Sequence, residues 1–191
     1  MYKLPKQFYQ RPAILVAKNL LGKYLVCKTP KGLVSGKIME VEVYSAVSGD
    51  DSARGRVKTP ATEVLYGEGG YAYVHMTYGM HFMFGVVVNK KDCPEVVFVR
   101  SLLPKDGTGI MKKNFERKTK NDLALTSGPG KLCKSFGINN EFNGLNLTGT
   151  KLYIEDQQEK VPPGSIITTP RIGLNPKLIS YKLPLRFLIS K

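Results

Sequence analysis

Histidine, cysteine, acidic residues and long apolar runs are all scarce in this 191-residue chain. The two histidines, His75 and His81, have no metal-ligand spacing and no nearby cysteine, so the sequence outlines neither a metal centre nor a Cys–His nucleophile. The expectation is that the chain uses no cofactor. The three cysteines, Cys27, Cys93 and Cys133, are odd in number and far apart, which argues against a disulfide framework and fits a reducing compartment. The apolar run Ala13-Ile14-Leu15-Val16-Ala17 is cut by Lys18, too soon for a signal-peptide core. No stretch approaches the ~20 apolar residues of a membrane helix, so a cytoplasmic protein without a membrane partner is expected.

The shortage of acids has the largest consequence. Fifteen Asp and Glu face twenty-nine Lys and Arg, a formal charge of +14. Such an excess suits a polyanionic partner, nucleic acid ahead of an anionic membrane. The plainer alternative is a lysine-rich coat kept for solubility. At this length one domain spanning residues 1–191 is expected, large enough to bury roughly 70% of its unfolded surface without a disulfide or metal.

Pro12 opens a helical pattern over residues 12–21 that Gly22 stops. Residues 25–28 and 34–44, joined through Pro30-Lys31-Gly32, read as a hairpin. Residues 45–62 are polar and read as a long loop of the functional kind. Residues 71–78 alternate as a strand that Gly79 separates from a second strand, and residues 95–101 form another. A helix is predicted within 106–122, bearing Lys112, Lys113, Arg117, Lys118 and Lys120 beside Lys105. A short helix follows at 130–136, and late strands fall at 151–155 and 185–189. Strands and helices do not alternate regularly. The predicted fold is therefore α+β, a curved and mainly antiparallel sheet with helices around it.

In the stretch Lys37 to Ser45, the two-residue period puts Met39, Val41 and Val43 on one face and Ile38, Glu40, Glu42 and Tyr44 on the other. Acids at i and i+2 stand ~7 Å apart on one strand face. That suits a single general base with a neighbour better than a pair flanking a glycosidic bond. Solvated glutamates on an exposed face are the simple alternative. Tyr71, Tyr73, His75 and Thr77 share another strand face, as core aromatics or as a base-stacking surface. Tyr78, just before Gly79, stands where a side chain can be pushed into a duplex. Gly128-Pro129-Gly130-Lys131, after Thr126-Ser127, resembles an anion-binding turn at a helix start, or simply a capping turn; P-loop spacing is absent.

Eight segments, in order, together resemble the alkyladenine (3-methyladenine) DNA glycosylase family. They are Val16-Ala17-Lys18-Asn19-Leu20-Leu21-Gly22, Glu40-Val41-Glu42-Val43-Tyr44, Lys58-Thr59-Pro60, Tyr78-Gly79-Met80, Val99-Arg100, Ser127-Gly128-Pro129-Gly130-Lys131-Leu132-Cys133, Arg171-Ile172-Gly173 and Pro184-Leu185-Arg186-Phe187. The resemblance implies a monofunctional base-excision enzyme, acting as a monomer on double-stranded DNA with a damaged base. Such an enzyme flips an alkylated purine from the duplex, and water then cleaves the N-glycosidic bond. By the family motif Glu42 is the catalytic base. Tyr44, Ser52, His75, Gly85 and Arg100 form the base pocket, and Tyr78 fills the gap left in the duplex. Lys58, Thr59, Ser127, Gly128, Lys131, Arg171 and Gly173 contact the DNA backbone.

The chain departs from the family pattern in four places. The loop Asp50-Asp51-Ser52-Ala53-Arg54-Gly55 lacks the usual histidine, whose contact would fall to Ser52 or Arg54. His75 replaces a stacking Tyr, Val43 a small Ala, and Gly85 an Asn that walls the pocket. Gly85 implies a roomier pocket open to guanine-derived lesions. Two alternatives stand beside the glycosylase: a lesion-binding protein without catalysis, and a basic RNA-binding module.

Overall fold

Alternation along one long strand organises the molecule, whose structure is a computed structural model describing residues 2–116, 119, 121–162 and 164–190. Gly32–Ser45 (β3) sends Val41 and Val43 to one face and Glu42 and Tyr44 to the other. Its neighbours do the same. In Glu95–Pro104 (β6), Val97 and Val99 point with Val41, while Val96, Phe98 and Arg100 point with Glu42. In Ala72–Thr77 (β4), Ala72 and Val74 enter the first face and Tyr73, His75 and Thr77 the second. His81–Val88 (β5) buries Phe84, Val86 and Val88 on the first face.

All pairings are antiparallel. Tyr2–Lys3 (β1), Leu152–Asp156 (β7), Tyr24–Thr29 (β2), β3, β6, β5 and β4 lie in that order. Arg186–Ile189 (β9) continues the edge of β3 that β2 leaves, and Ile166–Thr169 (β8) pairs outside it. The sheet curls into a half-barrel. Four α-helices occur among the described residues: Lys6–Tyr9 (α1), Ala13–Leu20 (α2), Thr108–Phe115 (α3) and Pro129–Phe136 (α4). The apolar face of the sheet is covered by Val16 and Leu20 of α2 and Leu132 and Phe136 of α4, all fully buried. Each such side chain stabilises the fold by about 1.5–3 kcal/mol.

The α+β class with an antiparallel sheet is thus as expected, and three details differ. Ile38 lies in the core with Val41, three residues on, not beside Glu40. One extra residue on each strand explains this. Met39 is unpaired between Ile38–Leu102 and Glu40–Ser101, and Arg100 between Glu40–Ser101 and Val41–Val99. Such a double bulge restores register after flipping the face, and bulges re-aim side chains. The helix expected within 106–122 stops at Phe115, where Glu116 adopts a left-handed conformation; Arg117, Lys118 and Lys120 lie outside the described residues. β1 and β8 have no expected counterpart.

Two local devices fix the helices beside the site. The Glu95 carboxylate accepts the Ala13 N–H at 3.2 Å, capping α2 after Pro12. Gly128 has φ 120, a value closed to other residues, and Pro129 starts α4.

Gly85 lies between Tyr73 and Phe98 in the ladder. A Cβ there would meet Val96 Cγ2 at 2.5 Å and Phe98 Cδ1 at 3.0 Å. The space that an 85 side chain would fill is already occupied, and Gly85 is not in the cavity wall described below. The expectation of a roomier pocket at this position is corrected accordingly. Gly85→Asn should lower stability by about 1–3 kcal/mol in urea unfolding; an unchanged midpoint would show that the strand accepts a side chain there.

Candidate active site

The second face of β3 to β6 is only partly covered, by Leu65 of the 3-10 turn Glu63–Tyr66 packing on Tyr73, Val96 and Phe98. It forms the floor and walls of a cavity of about 390 Å³, whose lining includes Glu42, Tyr44, Ser52, Arg54, His75, Phe98 and Arg100. Residues 172–174 and Pro129 close its rim.

Glu42 is buried and accepts three hydrogen bonds. Its Oε2 accepts from Arg100 Nη1 at 3.0 Å and from the Tyr44 hydroxyl at 3.0 Å, and its Oε1 from the Ile172 N–H at 2.9 Å. A carboxylate has roughly four acceptor positions, so Oε1 retains one. Glu40 stands behind this group, outside the cavity wall. One of its oxygens accepts from Arg100 Nε at 3.1 Å and from Arg186 Nε at 2.6 Å. The two acids therefore share one cation in unlike settings: Glu42 faces the cavity and Glu40 holds two arginines in place.

Four rings, those of Tyr44, Tyr73, His75 and Phe98, shape the slot. The Tyr44 ring meets Phe98 edge-on at 5.4 Å between centroids, with the Arg171 guanidinium 4.4 Å from its centre. His75 stacks on Tyr73 at 5.1 Å and meets Phe98 edge-on at 5.3 Å. Burial pushes the Tyr44 phenol up, with the Glu42 charge adding to the effect, so it stays a hydrogen-bond donor. Burial above all, with the nearby Arg54 charge adding, holds the His75 imidazole down to about 4.

The other expected site residues fall as follows. Ser52 lines the cavity and donates to Asp50 Oδ1 at 2.5 Å. Gly173, at φ 80, is at the rim with open space around it. Tyr78, 81% exposed, projects from the β4–β5 turn at φ 54 and reaches the cavity edge. A tyrosine held in this sparsely occupied region is a strained feature of the kind that clusters at functional sites. Ser127 and Gly128 lead into α4, the Gly128 N–H donating to the Arg100 carbonyl, and Lys131 is exposed one turn on. Lys58 is exposed near Glu63, and the Thr59 N–H donates to Thr62.

Arg171 departs from its expected place on the DNA-facing surface. Its guanidinium is fully buried. It pairs with Asp50 through Nη1–Oδ2 at 2.5 Å and Nη2–Oδ1 at 3.0 Å, and donates to the Val43 and Ser180 carbonyls. Burial alone would raise the Asp50 pKa, but hydrogen bonds from Arg171 and Ser52 hold it below the usual carboxylate range. Arg54, one of the two candidates for the missing histidine's contact, lines the cavity, and Tyr73, Phe98 and Ile172 are among the lining residues outside the expected set. The period-2 pattern around Val97 and Val99 was the available signal for Phe98; nothing local marked the Ile172 N–H. Among the described residues, no three His, Cys, Asp or Glu side chains cluster as a metal site.

A cavity lined by aromatic rings, with a buried carboxylate in its wall, has the makings of an enzyme site for a planar ligand. The sequence comparisons agree and are more specific. The profile of the methylpurine-DNA glycosylase (MPG) family matches residues 7–191, and the chain belongs to that family. A Desulfitobacterium hafniense protein is 38% identical, covering 100% of this chain and 96% of its own length. Proteins of Clostridium novyi and Carboxydothermus hydrogenoformans are each 40% identical, over 92% and 98% of this chain and 89% and 95% of their own. All three bear the name "Putative 3-methyladenine DNA glycosylase".

The His75 environment has a measurable consequence. The unfolded chain takes up this proton below about 6.5, whereas the folded chain does so only near 4. Stability therefore falls as pH drops through that window. His75→Phe removes this contribution. Between pH 7 and pH 4, wild type should lose on the order of 2 kcal/mol more than the variant in urea unfolding. Parallel pH–stability curves would mean that the imidazole protonates freely in the fold.

Proposed function

We propose that this chain is a monofunctional DNA glycosylase that flips an alkylated purine out of duplex DNA and hydrolyses its N-glycosidic bond. The observation that carries this reading is the placement of Glu42, buried at the base of an aromatic slot with one acceptor position left on Oε1. In this reading a water bound at Oε1 attacks the sugar C1′. Its oxygen forms the new bond, Glu42 takes its proton, and the electron pair of the breaking bond leaves with the base. Arg100, the Tyr44 hydroxyl and the Ile172 N–H keep the carboxylate oriented toward the sugar. Its charge favours the positive character that develops there.

Tyr44 and His75 offer rings to the flipped base, and a neutral His75 adds no charge of its own. Ser52 and Arg100 complete the pocket. Tyr78, prominent and strained, suits the role of a wedge in the vacated stack. Lys58, Thr59, Ser127, Gly128, Lys131 and Gly173 supply backbone contacts that position the duplex. Arg171 moves from that group to a positioning role, because its buried guanidinium sets the segment that carries the Ile172 N–H. One chain holds every residue named, so a monomer suffices.

Single-turnover excision from a duplex containing one alkylated purine tests the reading. Glu42→Gln should abolish base release, a loss of at least a hundredfold, while duplex binding persists. Binding without release by wild type would instead mark a lesion-binding protein. Preference for hairpin RNA over duplex at matched salt would mark an RNA-binding module.

A further inference from the structure

One part of the cavity is unlike the rest. Around Glu42 no buried side-chain polar atom of Glu42, Tyr44 or Arg100 is left without a partner. Around Tyr73 and His75 that is not so: the Tyr73 hydroxyl and His75 Nδ1 are buried and have no hydrogen-bond partner. Arg54 lines the cavity beside them, near enough to the Tyr73 phenol to act on it by hydrogen bonding as well as by charge, and its charge also acts on the His75 imidazole. It rises from the 3-10 turn Arg54–Arg56, behind the buried Ala53 and Gly55. Among the described residues no carboxylate lies within salt-bridge distance of it. The other arginines at the site, Arg100, Arg171 and Arg186, are each committed to an acid. Among the described residues, Arg54 is the arginine of the cavity wall whose charge is not compensated by an ion pair.

Buried polar atoms left without partners are costly, and a ligand that satisfies them is favoured. Hydrogen-bond donors are concentrated here: a guanidinium with five N–H groups and a phenol, beside an imidazole with one N–H. Arg54 is itself exposed where it meets the cavity, so solvent screens its charge at a distance and it acts through direct contact, disfavouring a positively charged base and favouring an acceptor placed against it.

We propose that Arg54 is a specificity-determining residue that turns this pocket toward neutral purines bearing an acceptor at C6, and away from purines carrying a positive charge. The inference rests on the glycosylase reading above. A neutral 6-oxopurine such as hypoxanthine would receive a hydrogen bond at its carbonyl oxygen from Arg54. An N7-methylguanine, cationic in the duplex, would meet like charge.

The same contact helps the reaction. When the bond between C1′ and N9 breaks, its electron pair goes to the base. A cationic lesion leaves as a neutral purine and needs little help. A neutral lesion leaves as an anion whose charge spreads to the C6 oxygen, where Arg54 stabilises it until a proton returns from solvent. Water supplies the new oxygen on C1′ and gives its proton to Glu42, so atoms and charge balance.

The test is single-turnover release of hypoxanthine and of 7-methylguanine from otherwise identical duplexes by wild type, Arg54→Gln and Arg54→Lys. Arg54→Gln should lower the hypoxanthine to 7-methylguanine rate ratio at least tenfold. Arg54→Lys, which keeps the charge but not the fork, should restore part of it. The salt dependence of duplex binding should keep its slope in Arg54→Gln. Equal slowing of both substrates with a slope reduced by about one unit would assign Arg54 to a phosphate and overturn the proposal. An unchanged ratio overturns it as well. Failure of wild type to release either base would overturn the glycosylase reading itself, an outcome distinct from release of both with an indifferent ratio.

Discussion

The buried pair between Asp50 and Arg171 holds the site together. It joins two segments 121 residues apart and hydrogen-bonds the carbonyl of Val43, so β3, the 45–62 loop and the segment before β9 meet at one point. Arg171 also lies over the Tyr44 ring, and the next residue, Ile172, gives its N–H to Glu42. Asp51 extends the clamp: its carboxylate accepts the N–H groups of Ile179 and Ser180. Removing one partner of such a pair leaves an uncompensated buried charge, a cost of roughly 3–5 kcal/mol. Here the orientation of the candidate base would be lost along with the stability.

The distribution of acids follows from the same logic. The chain is short of carboxylates, yet Glu40, Glu42, Asp50 and Glu95 are all withdrawn into or behind the β3–β6 region. Each has structural partners. Glu40 and Glu42 share Arg100, Asp50 takes Arg171, and Glu95 joins Ser45 at 2.5 Å and Asn89 at 2.7 Å to the capped start of α2. Arg100, Arg171 and Arg186 are drawn inward with these acids, so the remaining surface keeps essentially the strong basic excess of the whole chain. The charge left on the surface is carried largely by lysines, and the candidate base Glu42 is withdrawn from it.

The sequence made some of this legible. Val41-Glu42-Val43-Tyr44 alternates cleanly, so the carboxylate and phenol could be assigned to one face, and the strand of Tyr73 and His75 was visible for the same reason. The failures have physical causes. Ile38 changed face because a residue was added on each of two paired strands, and a single strand's period cannot report its partner's. Gly85 looked like an opening because a glycine has no side chain, but the volume belongs to Phe98 across the ladder. Arg171 looked like a surface cation because its acid is far away in the chain. Local chemistry was readable; cross-strand and long-range partners were not.

That distinction bears on how the pocket differs from the family pattern. Read one position at a time, a glycine, a histidine and a missing loop histidine suggest a weakened site. Placed together, the changes support one another. Gly85 admits Phe98 to the slot, and Phe98 contacts both Tyr44 and His75 edge-on. His75 remains flat against Tyr73 and is kept neutral by burial and by Arg54. The loop that lacks a histidine supplies that arginine instead. A stacking surface of uncharged rings, with its one unpaired cation at the edge, is a coherent arrangement for reading a base by its polar rim. The carboxylate beneath it, tied by Arg100, Tyr44 and Ile172, is insulated from those changes. In the proposed reading Tyr44 and Arg100 serve both the carboxylate and the base pocket, whereas His75, Phe98 and Arg54 touch the pocket without touching Glu42, so these three positions can vary while the carboxylate's partners are held.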